Sequence, residues 1–229
     1  VIDPRTGYAQ GRHADGTFLG EDNAFGFATF ITEGAPCHYT WYVPHDPYGL
    51  MKCMGGQERY IAKLDSMFSQ HRYWHGNEPC HQVAFMFNYA GQPWKTQRAV
   101  RHILETEYLD APGGLSGNDD AGQMSAWYVF AALGFYPVCP GTPYYALASP
   151  SFREAVLTLE NGKTFRLLAP EASAENIYIQ RVTLNGKPYT KNYIAHEDIL
   201  RGGTMEFEMG PEPNPDWGNK PEDCPPRTF

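Results

Sequence analysis

Residues 124–133, MSAWYVFAAL, offer no polar face at any helical phase beyond one serine. A helix of this composition must be covered on every side, so the sequence predicts a chain that wraps other elements around it. Directly before this run stands GGLSGNDDAGQ, a Gly-rich turn with two adjacent carboxylates, Asp119 and Asp120. Asp120 is expected as the N-cap, because its side chain can accept from the orphan N–H groups of the first helical turn. One cap leaves one carboxylate over.

The preceding helices alternate in kind. Tyr60, Ile61, Leu64, Met67 and Phe68 make one apolar stripe on an otherwise polar helix. The next segment opens at Pro79, suited to a first helical turn, and holds Val83, Ala84, Phe85, Met86, Phe87 and Tyr89, apolar on nearly all sides. An amphipathic helix follows, with Ala99, Val100, Ile103 and Leu104 inward. Shorter helices are expected over residues 38–43 and 48–54, and turns over residues 1–36 with Phe25, Phe27, Phe30 and Ile31 as anchors. Amphipathic and all-apolar helices in alternation are what helical hairpins produce when they ring a centre. The sequence thus predicts a mainly α chain with part of an (α/α)6 toroid over residues 1–141. Glu33, Glu78 and the Asp119–Asp120 pair each precede an inner-type helix, so all three motifs are expected on one rim.

From residue 142 the period changes to two. Residues 154–159 and 163–169 around Asn161-Gly162, and residues 182–184 and 187–189 around Asn185-Gly186, predict antiparallel hairpins with type I′ turns. Residues 204–209 alternate as a last strand. Six prolines from Pro211 onward predict an extended surface tail. Residues 142–229 are therefore a β-rich part without clustered chemistry.

Two separated carboxylate sites on one rim suit glycoside hydrolysis, in which one carboxylic acid protonates the leaving oxygen and the other activates water or attacks the sugar. A helix N-terminus favours an ionised Asp120, as a base requires. Tyr39, Trp41 and Tyr42 near Glu33 suggest an apolar pocket that would raise its pKa, as an acid requires. Asn77 and Glu78 offer hard oxygen donors that suit Ca²⁺. His71, His75 and His81 pose a zinc alternative, which Gly76 and Pro79 oppose by interrupting the helix. His38, His75, Trp94 and Gln123 are candidates for sugar contact; for Trp94, a place in the core is the alternative.

A net charge of −8 argues against nucleic acid as a partner, and no run is long and apolar enough for a membrane span. Five cysteines without CxxC spacing exclude a zinc framework and leave compartment open. The start at Val1-Ile2-Asp3-Pro4 reads as a processing site or a fragment edge.

The segments TEGAPCHYTWYVPHD, HGNEPCHQVAFMFNYAGQPWKTQ and GNDDAGQMSAWYVFAALGFYPVCPG, in this order, closely resemble glycoside hydrolase family 92, calcium-dependent exo-α-mannosidases often assigned to α-1,2 linkages. The ending GGTMEFEMGPEPNPDWG is similar to the family's C-terminal region. The resemblance implies an N-terminal β-sandwich, an (α/α)6 barrel, inversion, and Ca²⁺ bound to two hydroxyls of a terminal mannose. It implies Glu33 as general acid, Asp120 as general base, Asn77 and Glu78 in the calcium and sugar site, and Asp119 and Gln123 beside the base. It also implies mannose-containing glycans as substrates, a secreted or periplasmic setting, and an N-terminal portion of the enzyme as the partner that completes the site. Two departures stand out. Ala35-Pro36-Cys37-His38 replaces the usual sequence shortly after the acid, and Gly76 stands where α-1,2 enzymes tend to carry Glu, which opens α-1,3 or another linkage. Such a toroid needs about twice the helices this chain holds, so an isolated chain is expected to aggregate or be inactive. A non-catalytic carbohydrate-binding or scaffold fragment is the alternative function, and the presence of both Glu33 and Asp120 favours the enzyme.

Overall fold

The computed structural model describes residues 1–21 and 23–227. Turns and isolated bridges (Ile2 with Ala9, Arg12 with Phe18) carry the chain to residue 35. The expected Phe anchors are only partly used. Phe27 is 84% exposed, and Phe25 lies under the Arg72 guanidinium 3.5 Å away, while Tyr8, Ala24 and Ala35 enter the core.

Two short helices, α1 (Pro36–Tyr39) and α2 (Pro47–Cys53), precede α3 (Gln57–Ser69). Proline at the first helical position opens both short helices, where its missing N–H costs nothing. The helix expected over residues 38–43 is thus a single turn that starts and ends earlier. In α3 the predicted stripe points inward: Tyr60, Leu64 and Met67 are fully buried. Helix α4 (Pro93–Thr106) buries Ala99, Val100 and Ile103 as its pattern dictates.

The apolar segment between α3 and α4 is not an α-helix. It forms three successive 3₁₀ turns, Glu78–Cys80, Val83–Phe85 and Asn88–Ala90. Residues 80–88 are all buried, as expected, so periodicity had no polar face with which to distinguish the two helix types. Side chains compete for the backbone here. Gln82 Nε2 donates to the Pro79 and Trp41 carbonyls at 2.7 and 3.3 Å. Asn88 Nδ2 donates to the Leu147 and Asn192 carbonyls at 2.8 and 2.7 Å.

Helix α5 (Gln123–Leu133) is buried on one side only. Met124, Trp127, Ala131 and Ala132 face inward, whereas Tyr128 and Val129 are 41% and 56% exposed. This corrects the expectation of burial all round. Trp127 and Ala131 belong to a core shared with α4, while Phe130 and Leu133 pack on the core of the following strands, so α5 joins the two.

Eight strands follow: β1 (Phe135–Tyr136), β2 (Tyr144–Leu147), β3 (Glu154–Thr158), β4 (Thr164–Leu168), β5 (Tyr178–Leu184), β6 (Lys187–Pro188), β7 (Tyr193–Ala195) and β8 (Gly203–Gly210). A short helix, α6 (His196–Arg201), links β7 to β8. They form an antiparallel sheet β1-β2-β7 and a mixed sheet β3-β4-β8-β5-β6, in which β4 and β8 run parallel. The β5–β6 hairpin turns on Asn185 and Gly186, both with positive φ (52° and 75°), as a type I′ turn demands. The β3–β4 connection departs from expectation. Of its Asn-Gly pair only Gly162 has positive φ, and Leu159 pairs with Lys163 across a three-residue loop.

The proline-rich tail is not a free surface coil. Trp217 and Cys224 are buried, Tyr48 Oη donates to the Pro225 carbonyl at 2.7 Å, and Asn192 Nδ2 donates to the Gly218 carbonyl at 2.7 Å. Asn192 also donates to the Asn88 carbonyl at 3.0 Å, so two fully buried asparagines hold each other's backbone and tie the 3₁₀ segment to the β-rich part.

Candidate active site

Glu33, Asn77, Glu78 and Asp120 line one cavity of about 270 Å³, with Trp74, Gly76, Gly117 and Asn118 completing its wall. Three stretches far apart in sequence therefore meet as predicted from the rim argument. Glycine permits the approach. A Cβ on Gly117 would stand 2.3 Å from the Gly76 carbonyl oxygen, and one on Gly76 would stand 2.6 Å from the Ser116 carbonyl oxygen. The third stretch is fixed by Asn77, whose Nδ2 donates to the Glu33 carbonyl at 2.7 Å. Tyr39 Oη closes the Glu33 turn by donating to the Thr32 carbonyl at 2.9 Å.

Both candidate proton-transfer residues sit in left-handed backbone, Glu33 at φ 58° and Asp120 at φ 44°. Such conformations are costly for residues with a Cβ and concentrate at functional sites. Left-handed geometry continues through Ala121 and Gly122, which swings Asp120 off the helix axis. Gly122, not Asp120, is the N-cap of α5. The capping work falls to Asp119, whose Oδ1 accepts from the Ser125 N–H and Oγ–H, each at 2.9 Å. The spare carboxylate is thus Asp120, which stands exposed at the cavity.

The electrostatics also differ from expectation. Glu33 is exposed, and among the described residues no aromatic pocket encloses it. Glu78 is the carboxylate pushed upward: burial is the main cause, and Asp120 and then Glu33 add to it against the pull of its own backbone. Its Oε1 is buried with no hydrogen-bond partner. A buried, unpartnered oxygen among three carboxylates is an incomplete polar site, and its hard donors suit a cation such as Ca²⁺. Among the described residues, however, no group of three or more His, Cys, Asp or Glu side chains is gathered to hold a metal ion.

His75 lies beneath this cavity and not in it; it is 1% exposed. Tyr108 Oη donates to the Met124 carbonyl at 3.0 Å, so toward His75 it accepts, from Nε2–H at 2.6 Å. Nδ1 then accepts from Tyr73 Oη–H at 2.7 Å. The imidazole is neutral with one defined tautomer. Burial, reinforced by neighbouring His81, lowers its pKa to about 3. This relay fastens the segment ahead of Glu78 to the start of α5. It replaces the expected sugar contact.

The other candidates are likewise placed by their partners. His38 Nδ1 accepts from the Ala35 N–H at 3.1 Å and Nε2 donates to the Arg72 carbonyl at 2.9 Å, so both ring nitrogens are committed to backbone. Gln123 Nε2 donates to His81 Nδ1 at 3.3 Å and to Tyr136 Oη at 3.1 Å, one layer below the cavity. His81 Nε2 bonds the His75 carbonyl, which leaves the zinc alternative no free imidazole there, and His71 is exposed in a left-handed turn. Trp94 is not brought to the site. It lines a separate groove with Phe68, Phe87, Lys95, Arg98 and His102 between α3 and α4. The five cysteines are all free. Trp74 is the residue that sequence reasoning missed, since a lone Trp between Tyr73 and His75 carries no periodic signal.

Residues 1–211 match the glycosyl hydrolase family 92 catalytic domain. The chain belongs to glycosyl hydrolase family 92. Among family 92 structures, it is similar to an α-mannosidase of Bacteroides thetaiotaomicron, with 39% identity and a TM-score of 0.94 over 99% of this chain and 32% of that one. An inverting family 92 mannosidase of the same bacterium gives 38% identity and a TM-score of 0.92, covering 98% of this chain and 34% of the other. A secreted glycosidase of uncharacterized activity from Arthroderma benhamiae is 34% identical over 235 residues, which is 96% of this chain and 30% of that protein. The chain thus spans about a third of the length of these relatives. No helix among the described residues is long and apolar enough to cross a membrane.

Proposed function

We propose that this chain is the C-terminal catalytic portion of an inverting, Ca²⁺-dependent exo-α-mannosidase that releases terminal mannose from glycans outside the cytoplasm, secreted or periplasmic. The observation that carries this is the meeting of Glu33, Glu78 and Asp120 around one cavity, two of them on left-handed backbone. The titles of the family 92 neighbours, an α-mannosidase and an inverting mannosidase, support the substrate and the stereochemistry.

In this reading Glu33 gives its proton to the glycosidic oxygen as the C–O bond breaks. Asp120 removes a proton from a water that attacks the anomeric carbon from the opposite face, so the product inverts. Inversion calls for roughly 6.5–9.5 Å between acid and base carboxyls, which leaves room for that water. Asp119 holds the Asp120 turn on α5, and Gln123 supports it from below. Asn77, through its amide oxygen, and Glu78, through its orphaned Oε1, would hold the Ca²⁺, with other ligands completing its shell. When bound, the ion would supply a positive charge for hydroxyls of the terminal mannose, which would favour a distorted ring.

Residues 1–141 would be the second half of an (α/α)6 barrel and residues 142–229 a β-rich support. The apolar faces left open on α5 and around Leu109 support a need for the remaining barrel, and the exposure of Glu33 fits an acid that is enclosed only in the complete enzyme. Assay of α-mannobiose isomers by the full-length enzyme, with Ca²⁺ and with EDTA, tests this. Hydrolysis that EDTA abolishes and Ca²⁺ restores is expected, and the isomer preferred gives the linkage. Activity indifferent to EDTA would remove the metal from the account; no activity on any isomer would remove the mannosidase.

A further inference from the structure

We propose that Trp74 is the stacking platform for the sugar on the leaving-group side of the cavity, so that this site is built for a pyranosyl leaving group and not for a small alcohol. This rests on the reading of Glu33 as the proton donor. Trp74 is the one aromatic side chain among the described residues that line the cavity, and it is 41% exposed. Its neighbours Tyr73 and His75 bond to each other beneath the surface, whereas Trp74 itself lines the opening. The indole borders the stretch that carries the acid. It packs on the His38 ring at 5.9 Å, and His38 Nδ1 lies 3.2 Å from where a Cβ on Gly34, next to Glu33, would be. With His38 locked at both nitrogens, the platform has a rigid backing.

Gly76 keeps the platform in place. A Cβ there would meet Trp74 Nε1 at 2.7 Å, so the indole lies across the glycine and any larger residue must displace it. In an inverting glycosidase the acid stands at the bond to the leaving group, while base and water occupy the other face. An aromatic ring beside the acid therefore meets the departing sugar. The C–H groups on one face of a pyranose form an apolar surface that lies flat on an indole, and an exposed Trp at the edge of a polar cavity matches that ligand.

The test uses the full-length enzyme and two substrates that share the mannosyl group, α-mannobiose and α-mannosyl fluoride, which has no leaving sugar. The ratio of kcat/KM for the disaccharide to that for the fluoride is expected to fall roughly tenfold or more in Trp74→Ala, chiefly through KM. It is expected to return to within about threefold of the original in Trp74→Phe, which keeps a ring. Equal losses on both substrates in a folded Trp74→Ala protein, or an unaltered ratio, would overturn the proposal while leaving the mannosidase reading intact. Failure of the unsubstituted enzyme on both substrates would instead overturn that reading, and this one with it.

Discussion

Acidification should loosen the floor of the site through His75. Its pKa is lowered from 6.5 to about 3 by burial and by His81, so the folded state takes up no proton there until the pH is far below the range in which the unfolded chain does. Stability is therefore complete above the unfolded value and is lost as pH falls, by about 1.4 kcal/mol per unit between 6.5 and the folded value. At about pH 5 the loss attributable to His75 is roughly 2 kcal/mol. His81, lowered by the same cause, steepens the effect. Glu78 acts oppositely, because a raised folded pKa favours the folded state as pH falls. A His75→Gln variant cancels both neighbours from the comparison. Calorimetric melting of the full-length enzyme at about pH 7.5 and about pH 5 should show a smaller acid-induced drop in Tm for the glutamine variant than for the original. Parallel curves for the two proteins would refute the neutral, buried assignment of the imidazole.

Asp119→Ala removes the acceptor for Ser125 N–H and Oγ–H, and should cost about 0.5–2 kcal/mol of stability by chemical denaturation; it should also lower kcat by releasing the Asp120 turn. Gly117→Ala sets a Cβ 2.3 Å from the Gly76 carbonyl oxygen, so the cavity must open, and kcat/KM should fall on the order of a hundredfold; near-original kinetics would contradict the close approach. Asn88→Ala and Asn192→Ala should each cost about 1–3 kcal/mol, because each removes two buried hydrogen bonds donated by the side-chain amide. A loss near zero for either variant would contradict these buried bonds.

What the sequence made legible was what period and turn chemistry encode. The stripes of α3 and α4 named their buried faces, and Asn185-Gly186 named its turn, because only residues that tolerate positive φ at both positions make it cheaply. The segment over residues 78–90 was legible as buried but not as 3₁₀, since an all-apolar run has no phase. The open face of α5 was invisible for a related reason: apolar residues there announce a partner without saying which part of the chain supplies it. At the site, Glu33, Glu78 and Asp120 converge as expected, although the helices from which that was reasoned are a single turn after Glu33 and 3₁₀ turns after Glu78. The division of labour between Asp119 and Asp120 was not legible, because it depends on three consecutive left-handed residues after Asp119 that no propensity favours. His75 misled for a different reason. Its place in the chain pointed at the cavity, whereas Tyr73 and Tyr108 hold it beneath.

The pairing of Glu33 as acid with Asp120 as base is tested most directly by leaving-group dependence in the full-length enzyme. Glu33→Gln should lose activity on α-mannobiose, whose leaving sugar needs a proton, by roughly 10²–10⁴-fold. It should lose far less on an activated aryl α-mannoside whose leaving group departs unprotonated. Asp120→Asn should lose activity on both. A Glu33→Gln enzyme that hydrolyses the disaccharide at the original rate would contradict the account.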